Sequence, residues 1–138
     1  TAGTNVIRID DLRATAAHVK FLSLEPLLGP ATAVVTGQNG DLPPRPECAP
    51  LWHPPLLAAL PKIELTLLIG SYAQAYYLNN RRKKTLAETV QSYAEYLPRF
   101  LPLPHPSPRN RMWLRRNPWF AAEVLPLLRE RVSVVLAG

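Results

Sequence analysis

The chain has 138 residues, 47% of them hydrophobic, with 16 prolines and a formal charge of +6 at neutral pH. That length bounds it to one domain or less with enough apolar content for a core, and its single cysteine, Cys48, excludes an internal disulfide and a cysteine-rich zinc site. No apolar run approaches the roughly 18 residues of a membrane span, and no signal peptide is legible, so we expect a protein of the reducing cytoplasm with no membrane partner, metal or cofactor.

In chain order, the start at Thr1 rather than Met suggests a fragment. A weak i, i+3, i+4 pattern predicts a short helix from Ile9 to Ala17. Val19-Lys20-Phe21-Leu22-Ser23-Leu24 reads as a strand stopped by Glu25-Pro26, and Leu27-Leu28-Gly29-Pro30 turns the chain. The run from Arg13 to Pro30 resembles a segment of a phage-associated, radical-SAM-like family. It contains none of that family's cluster-binding cysteines, and no activity is carried over.

Ala33 to Thr36 reads as a short strand before Gly37-Gln38-Asn39-Gly40, and Asp41 to Trp52 as a proline-dense loop. Pro54 and Pro55 suit the first turn of a helix ending near Leu60, which makes His53 a helix-start residue. Ile63 to Ile69 is the strongest strand signal. Its apolar end lacks alternation, as in a parallel strand covered on both faces. Gly70-Ser71 then turns into a helix from Tyr72 to Leu78, the grammar of an α/β sheet.

Asn79 to Lys84 is a basic loop. Thr85-Leu86-Ala87-Glu88 forms a capping box, with Leu86, Val90, Tyr93 and Leu97 at helical spacing behind it. Pro98 closes that helix and Arg99-Phe100-Leu101 enters a last strand. Asn117 is placed to cap a final helix, with Pro118 at its first position and Val124, Leu125 and Leu128 as its apolar stripe. Val132 to Leu136 extends this helix or pairs as an edge; the pattern supports either.

Between the last strand and the last helix lies Leu101-Pro102-Leu103-Pro104-His105-Pro106-Ser107-Pro108-Arg109-Asn110. Prolines at every second position predict a stiff, extended, non-helical loop presenting His105 and Ser107. A plain proline-rich connector has the same composition. The loop hangs from a strand's C-terminal end, where open α/β sheets place ligand sites. The charge is lopsided as well. Residues 1–68 hold five basic side chains against six acidic, whereas 69–138 hold eleven against four. A basic half interleaved with Trp, Tyr and Met suits a phosphate backbone, and a solvated basic face is the plainer alternative.

Three further blocks stand in order with the His105 run. They are Gly40-Asp41-Leu42-Pro43-Pro44-Arg45-Pro46-Glu47-Cys48-Ala49, then Leu67-Leu68-Ile69-Gly70 with Tyr72-Ala73-Gln74, then Trp113 with Asn117-Pro118-Trp119-Phe120. Together, from Gly40 onward, they resemble the C-terminal half of the uracil-DNA glycosylase superfamily. The resemblance implies a partial three-layer αβα fold with a short parallel sheet, its N-terminal strands missing or replaced. Residues 1–38 would then be an unrelated or recombined segment and 39–138 a partial glycosylase-like domain.

It also implies roles. His105 matches the donor to O2 of the departing uracil, and Ser107 with the backbone through Asn110 matches the grip on DNA phosphates. Arg109, Arg111 and Met112 stand where residues wedge into the space left by the flipped base. Trp113 and Trp119 are expected to pack the final helix on the sheet. The family's water-positioning motif, Gly-Gln/Glu-Ala-Pro-Gly, has at most an echo in Gly37-Gln38-Asn39-Gly40, with Asp41 the candidate water-activating carboxylate. The stacking aromatic and the uracil-reading Asn that follow it have no counterpart. The expected function is therefore a truncated uracil-DNA glycosylase-like protein with weak or no excision, acting on uracil-containing DNA. A non-catalytic remnant or nucleic-acid-binding module is the alternative.

Overall fold

The computed structural model describes residues 21–24, 36–37, 40–41 and 45–137. The helix expected over Ile9–Ala17 and the turn over Leu27–Pro30 lie outside them. So does most of the stretch with the phage-associated resemblance. The described residues fall into two compact units.

One unit holds β2 (Thr36–Gly37), β3 (Gly40–Asp41) and α1 (Cys48–Ala59). β2 and β3 pair antiparallel, Thr36 opposite Asp41 and Gly37 opposite Gly40, so both ends of the motif echo, Gly37 and Gly40, are strand residues; the rest of the strand expected over Ala33–Thr36 lies outside the described residues. The helix starts earlier than the prolines suggested. Cys48 opens it, and Pro54 and Pro55 lie inside it. Pro50 occupies the first turn, where a missing N–H costs nothing, and the two later prolines forgo bonds to carbonyls one turn back. His53 is accordingly a buried mid-helix residue rather than a helix-start one. Burial lowers its pKa, because the charged imidazolium is the form that loses most on desolvation.

The other unit is a three-layer α/β/α arrangement around a parallel sheet of order β1-β4-β5, where β1 is Phe21–Leu24, β4 is Leu65–Ile69 and β5 is Phe100–Leu103. The expected N-terminal strand therefore exists, and it pairs along β4 with Phe21 opposite Leu65 and Leu24 opposite Leu68. On the other side of β4, Thr66 lies opposite Phe100 and Ile69 opposite Leu103. Residues 65–68 of the central strand are all buried, as a strand covered on both faces requires.

Side chains alternate between the two layers. Leu65, Leu67, Leu101 and Leu103 point into one core with Val90, Phe120, Val124 and Val135. Leu68 points to the opposite core with Ala73, Leu78 and Tyr96. Each buried leucine contributes roughly 1.5–3 kcal/mol of transfer free energy.

Helix α2 (Gly70–Leu78) follows β4 directly and ends in a 3-10 turn, Asn79–Arg81. The Thr85 capping box forms as expected. The Glu88 amide donates to Thr85 Oγ1 at 3.2 Å, and the Thr85 amide donates to Glu88 Oε2 at 3.0 Å. The helix behind it, α3 (Leu86–Gln91), is shorter than the apolar spacing implied, and Tyr93–Glu95 continues as a 3-10 turn. Leu86, Val90, Tyr93 and Leu97 nevertheless all reach the first core.

After β5 come a 3-10 turn (Pro108–Asn110), α4 (Arg111–Arg116), a π-helical turn (Phe120–Val124) and α5 (Leu125–Ala137), which carries Val132–Leu136 as helix rather than edge. Asn117 does not cap this last helix. Its Nδ2 donates to Trp113 O at 2.8 Å, closing α4, and its Oδ1 accepts from Trp119 Nε1 at 3.2 Å. Leu125 N–H bonds back five residues to Phe120 O, just before Pro126, which has no N–H to give. Trp113 and Trp119 pack against the first core and edge-on to Phe120, as expected.

Candidate functional site

The expectation of a wholly extended loop from Leu101 to Asn110 holds only in its middle. Pro102 lies within β5, where it is tolerated because β5 bonds to β4 alone among the described residues, leaving its other side without a ladder to break. Pro108 opens the 3-10 turn, again a position that uses no N–H. Pro104, His105, Pro106 and Ser107 between them form the rigid link.

Local hydrogen bonds knit this link into one shape. The Ser107 amide donates to His105 Nδ1 at 3.2 Å, and the Asn110 side-chain amide donates to the His105 carbonyl. Ser107 Oγ accepts from the Arg109 amide at 3.3 Å, and the Asn110 amide donates to the Ser107 carbonyl at 2.9 Å. An imidazole whose Nδ1 accepts a hydrogen bond carries its proton, when neutral, on Nε2. The loop backbone thus selects the tautomer of its own histidine. The three amides of Ser107, Arg109 and Asn110 are all used within the loop, whereas the Ser107 hydroxyl keeps its own proton to donate.

The β4–α2 turn abuts this loop. Gly70 has φ of +83°, a conformation side-chain-bearing residues rarely adopt, and a Cβ added there would stand 3.7 Å from His105 Cβ. The candidate phosphate and wedge residues follow at once. Arg109, Arg111 and Met112 are exposed, and Met112 leaves 55% of its surface to solvent. On α4, Arg111 and Arg115 share one face and Met112 and Arg116 the next, while Trp113 turns inward. His105, Ser107, Arg109, Asn110, Arg111 and Met112 are therefore brought together in eight consecutive residues. Asp41 ends β3 in the other unit.

The basic half of the chain is not one patch. β4 and β5 are parallel, so the chain between them returns to the strand-entry end, and α2 carries Arg81, Arg82, Lys83 and Lys84 there, away from His105. Arg81 and Lys83 are tied into that end. Tyr96 Oη donates to Arg81 O at 2.8 Å, Arg81 Nη2 donates to Glu95 O at 3.1 Å, and Lys83 Nζ pairs with Glu95 at 2.7 Å.

One residue of this region stands in the Tyr72-Ala73-Gln74 block, yet the sequence assigns it no role. Gln74 on α2 is fully buried, and its Nε2 donates to Leu68 O at 3.3 Å and to Leu103 O at 2.9 Å. A lone amide among apolar neighbours on a helix was the available clue.

A family model described as the uracil DNA glycosylase superfamily matches residues 4–129. The chain belongs to the uracil DNA glycosylase superfamily. The match begins well before Gly40, where the ordered sequence blocks start, and so takes in β1 as well as β2 and β3. Membership makes this a uracil-DNA glycosylase-like α/β protein with DNA as its general class of partner. Among the described residues no helix is long and apolar enough to cross a membrane, and no three His, Cys, Asp or Glu side chains group as a metal site would need.

Proposed function

We propose that this superfamily member recognises uracil in DNA through the His105 loop and takes part in base excision, hydrolysing the N-glycosidic bond slowly. The observation that carries the reading is the Ser107 amide on His105 Nδ1, which directs the ring's proton to Nε2. In that reaction the C1′–N1 bond breaks, negative charge develops on the departing uracil, water delivers OH to C1′, and the water's proton ends on the released uracil. A neutral N–H fixed in advance against O2 stabilises that charge more in the transition state than in the ground state. Ser107, Arg109, Asn110 and Arg111 would hold the flanking phosphates and Met112 the vacated base position. These phosphate contacts offset the few kcal/mol needed to flip the base.

The slow rate is read from Gly37-Gln38-Asn39-Gly40, which only echoes the water-positioning motif that the resemblance implies, and Asp41 beside it is the candidate carboxylate for activating water. The test is release of uracil from a single-stranded oligonucleotide, with a thymine-containing strand as control. Release that His105→Ala abolishes supports the proposal. A chain that releases nothing, and whose His105→Ala variant binds the strand as well as the parent, would instead be a non-catalytic nucleic-acid-binding module.

A further inference from the structure

β4 and β5 stop pairing at Ile69 opposite Leu103. Beyond that point each strand goes straight into a functional turn, Gly70 on one side and Pro104-His105 on the other. The pairing ends there because β4 turns into α2 at Gly70. The side chain of Gln74 sits at this place. Its NH2 group reaches the carbonyl of Leu68, two residues before Gly70, and the carbonyl of Leu103, two residues before His105. It is 0% exposed, and its Oε1 has no hydrogen-bond partner among the described residues. A buried carbonyl oxygen without a partner is destabilising, and a residue chosen for stability alone would be apolar here. Two carbonyl acceptors also fix which way the amide faces, since only the NH2 end can approach both.

We infer that Gln74 is the positioning residue of the site: its amide clamps the carbonyls at the ends of both strands and sets the distance between the Gly70 turn and the His105 loop. This rests on the reading of His105 as the uracil donor, and it says what keeps that donor in place. Gln74 touches neither base nor phosphate. It acts through Leu103 and Pro104.

The test compares the whole chain with Gln74→Met, which keeps the length of the side chain and removes both donors. Thr85→Ala is the control, since it loosens a helix cap distant from the loop. Two readouts are taken: nitrogen-15 NMR shifts of the His105 ring, which report its tautomer without any substrate, and affinity for a uracil-containing oligonucleotide. The expected result is loss of the pure Nε2–H signature and about tenfold weaker binding in Gln74→Met, on the scale of one lost hydrogen-bonding group, with both unchanged in Thr85→Ala. A folded Gln74→Met with parental ring shifts would overturn the inference. If Gln74→Met does not fold, Gln74→Asn replaces it, keeping the amide but falling one methylene short of both carbonyls, with the same two outcomes. A parent chain that shows no preference for uracil refutes the proposed function, and the ring shifts still decide the role of Gln74.

Discussion

The amide of Ser107 donates to Nδ1 of His105 at 3.2 Å, a bond between residues two apart and flanked by prolines on both sides. Ser107 has φ of −59° and ψ of 144°, which a proline adopts without strain. Ser107→Pro therefore keeps the path of the loop and deletes the single N–H that holds the histidine tautomer. Ser107→Ala deletes the hydroxyl and keeps the N–H. With a net hydrogen bond worth about 0.5–1.5 kcal/mol, Ser107→Pro should lower the rate of uracil release, or the affinity for a uracil strand, by about tenfold relative to Ser107→Ala. Equal effects of the two substitutions in a filter-binding or excision assay would mean that the amide has no part in uracil recognition.

Much of this unit was legible in the sequence because its signals are local. The apolar run Leu65–Ile69 ends at a glycine that takes φ of +83°, and Thr85 and Glu88 stand three apart and cap each other. The features that escaped depend on contacts distant in the chain. Pro54 and Pro55 obey the local rule for helix starts, yet the chain already enters the helix at Cys48. Asn117 stands where an N-cap belongs, but the Trp113 carbonyl and the Trp119 indole claim its two ends. Gln74 and Leu103 are 29 residues apart, and no periodicity links them. Net charge misled in the same way, since it does not say which end of a sheet each arginine occupies.

The capping box gives a stability prediction independent of function. Thr85→Ala removes the acceptor for the Glu88 amide and should cost about 1 kcal/mol, lowering Tm by a few degrees. Glu88→Gln keeps a side-chain acceptor for the Thr85 amide and should cost less. Thermal unfolding followed by circular dichroism separates them, and equal Tm values for parent and Thr85→Ala would show that the cap contributes nothing to global stability.

Alkaline stability should depend on Tyr77. Its phenol is pushed up from 10.0 to about 12, first by burial and then by the neighbouring Tyr76. The neutral phenol is thus favoured in the folded state. The unfolded chain loses this proton near pH 10 while the folded chain keeps it to about 12, so folding becomes less favourable as pH rises through that window. Denaturant midpoints for the parent should fall between pH 10 and 12, and Tyr77→Phe should flatten that part of the profile. An unchanged slope in Tyr77→Phe would place the alkaline transition elsewhere.

The distribution of arginines predicts which of them DNA will sense. Arg111 leads α4 beside the His105 loop, while Arg82 follows the Asn79–Arg81 turn at the other end of the sheet. Each phosphate neutralised releases counterions, so log K falls with log salt by roughly 0.7 for every contact to a single strand. Arg111→Ala should therefore weaken binding of a single-stranded oligonucleotide at low salt and make the salt slope shallower by about that amount. Arg82→Ala should leave both affinity and slope as in the parent, although it removes the same formal charge. Fluorescence anisotropy titrations over a series of salt concentrations give both quantities at once. If the two variants lose slope equally, binding follows net charge rather than the His105 end of the sheet, and the interface assigned to α4 is wrong.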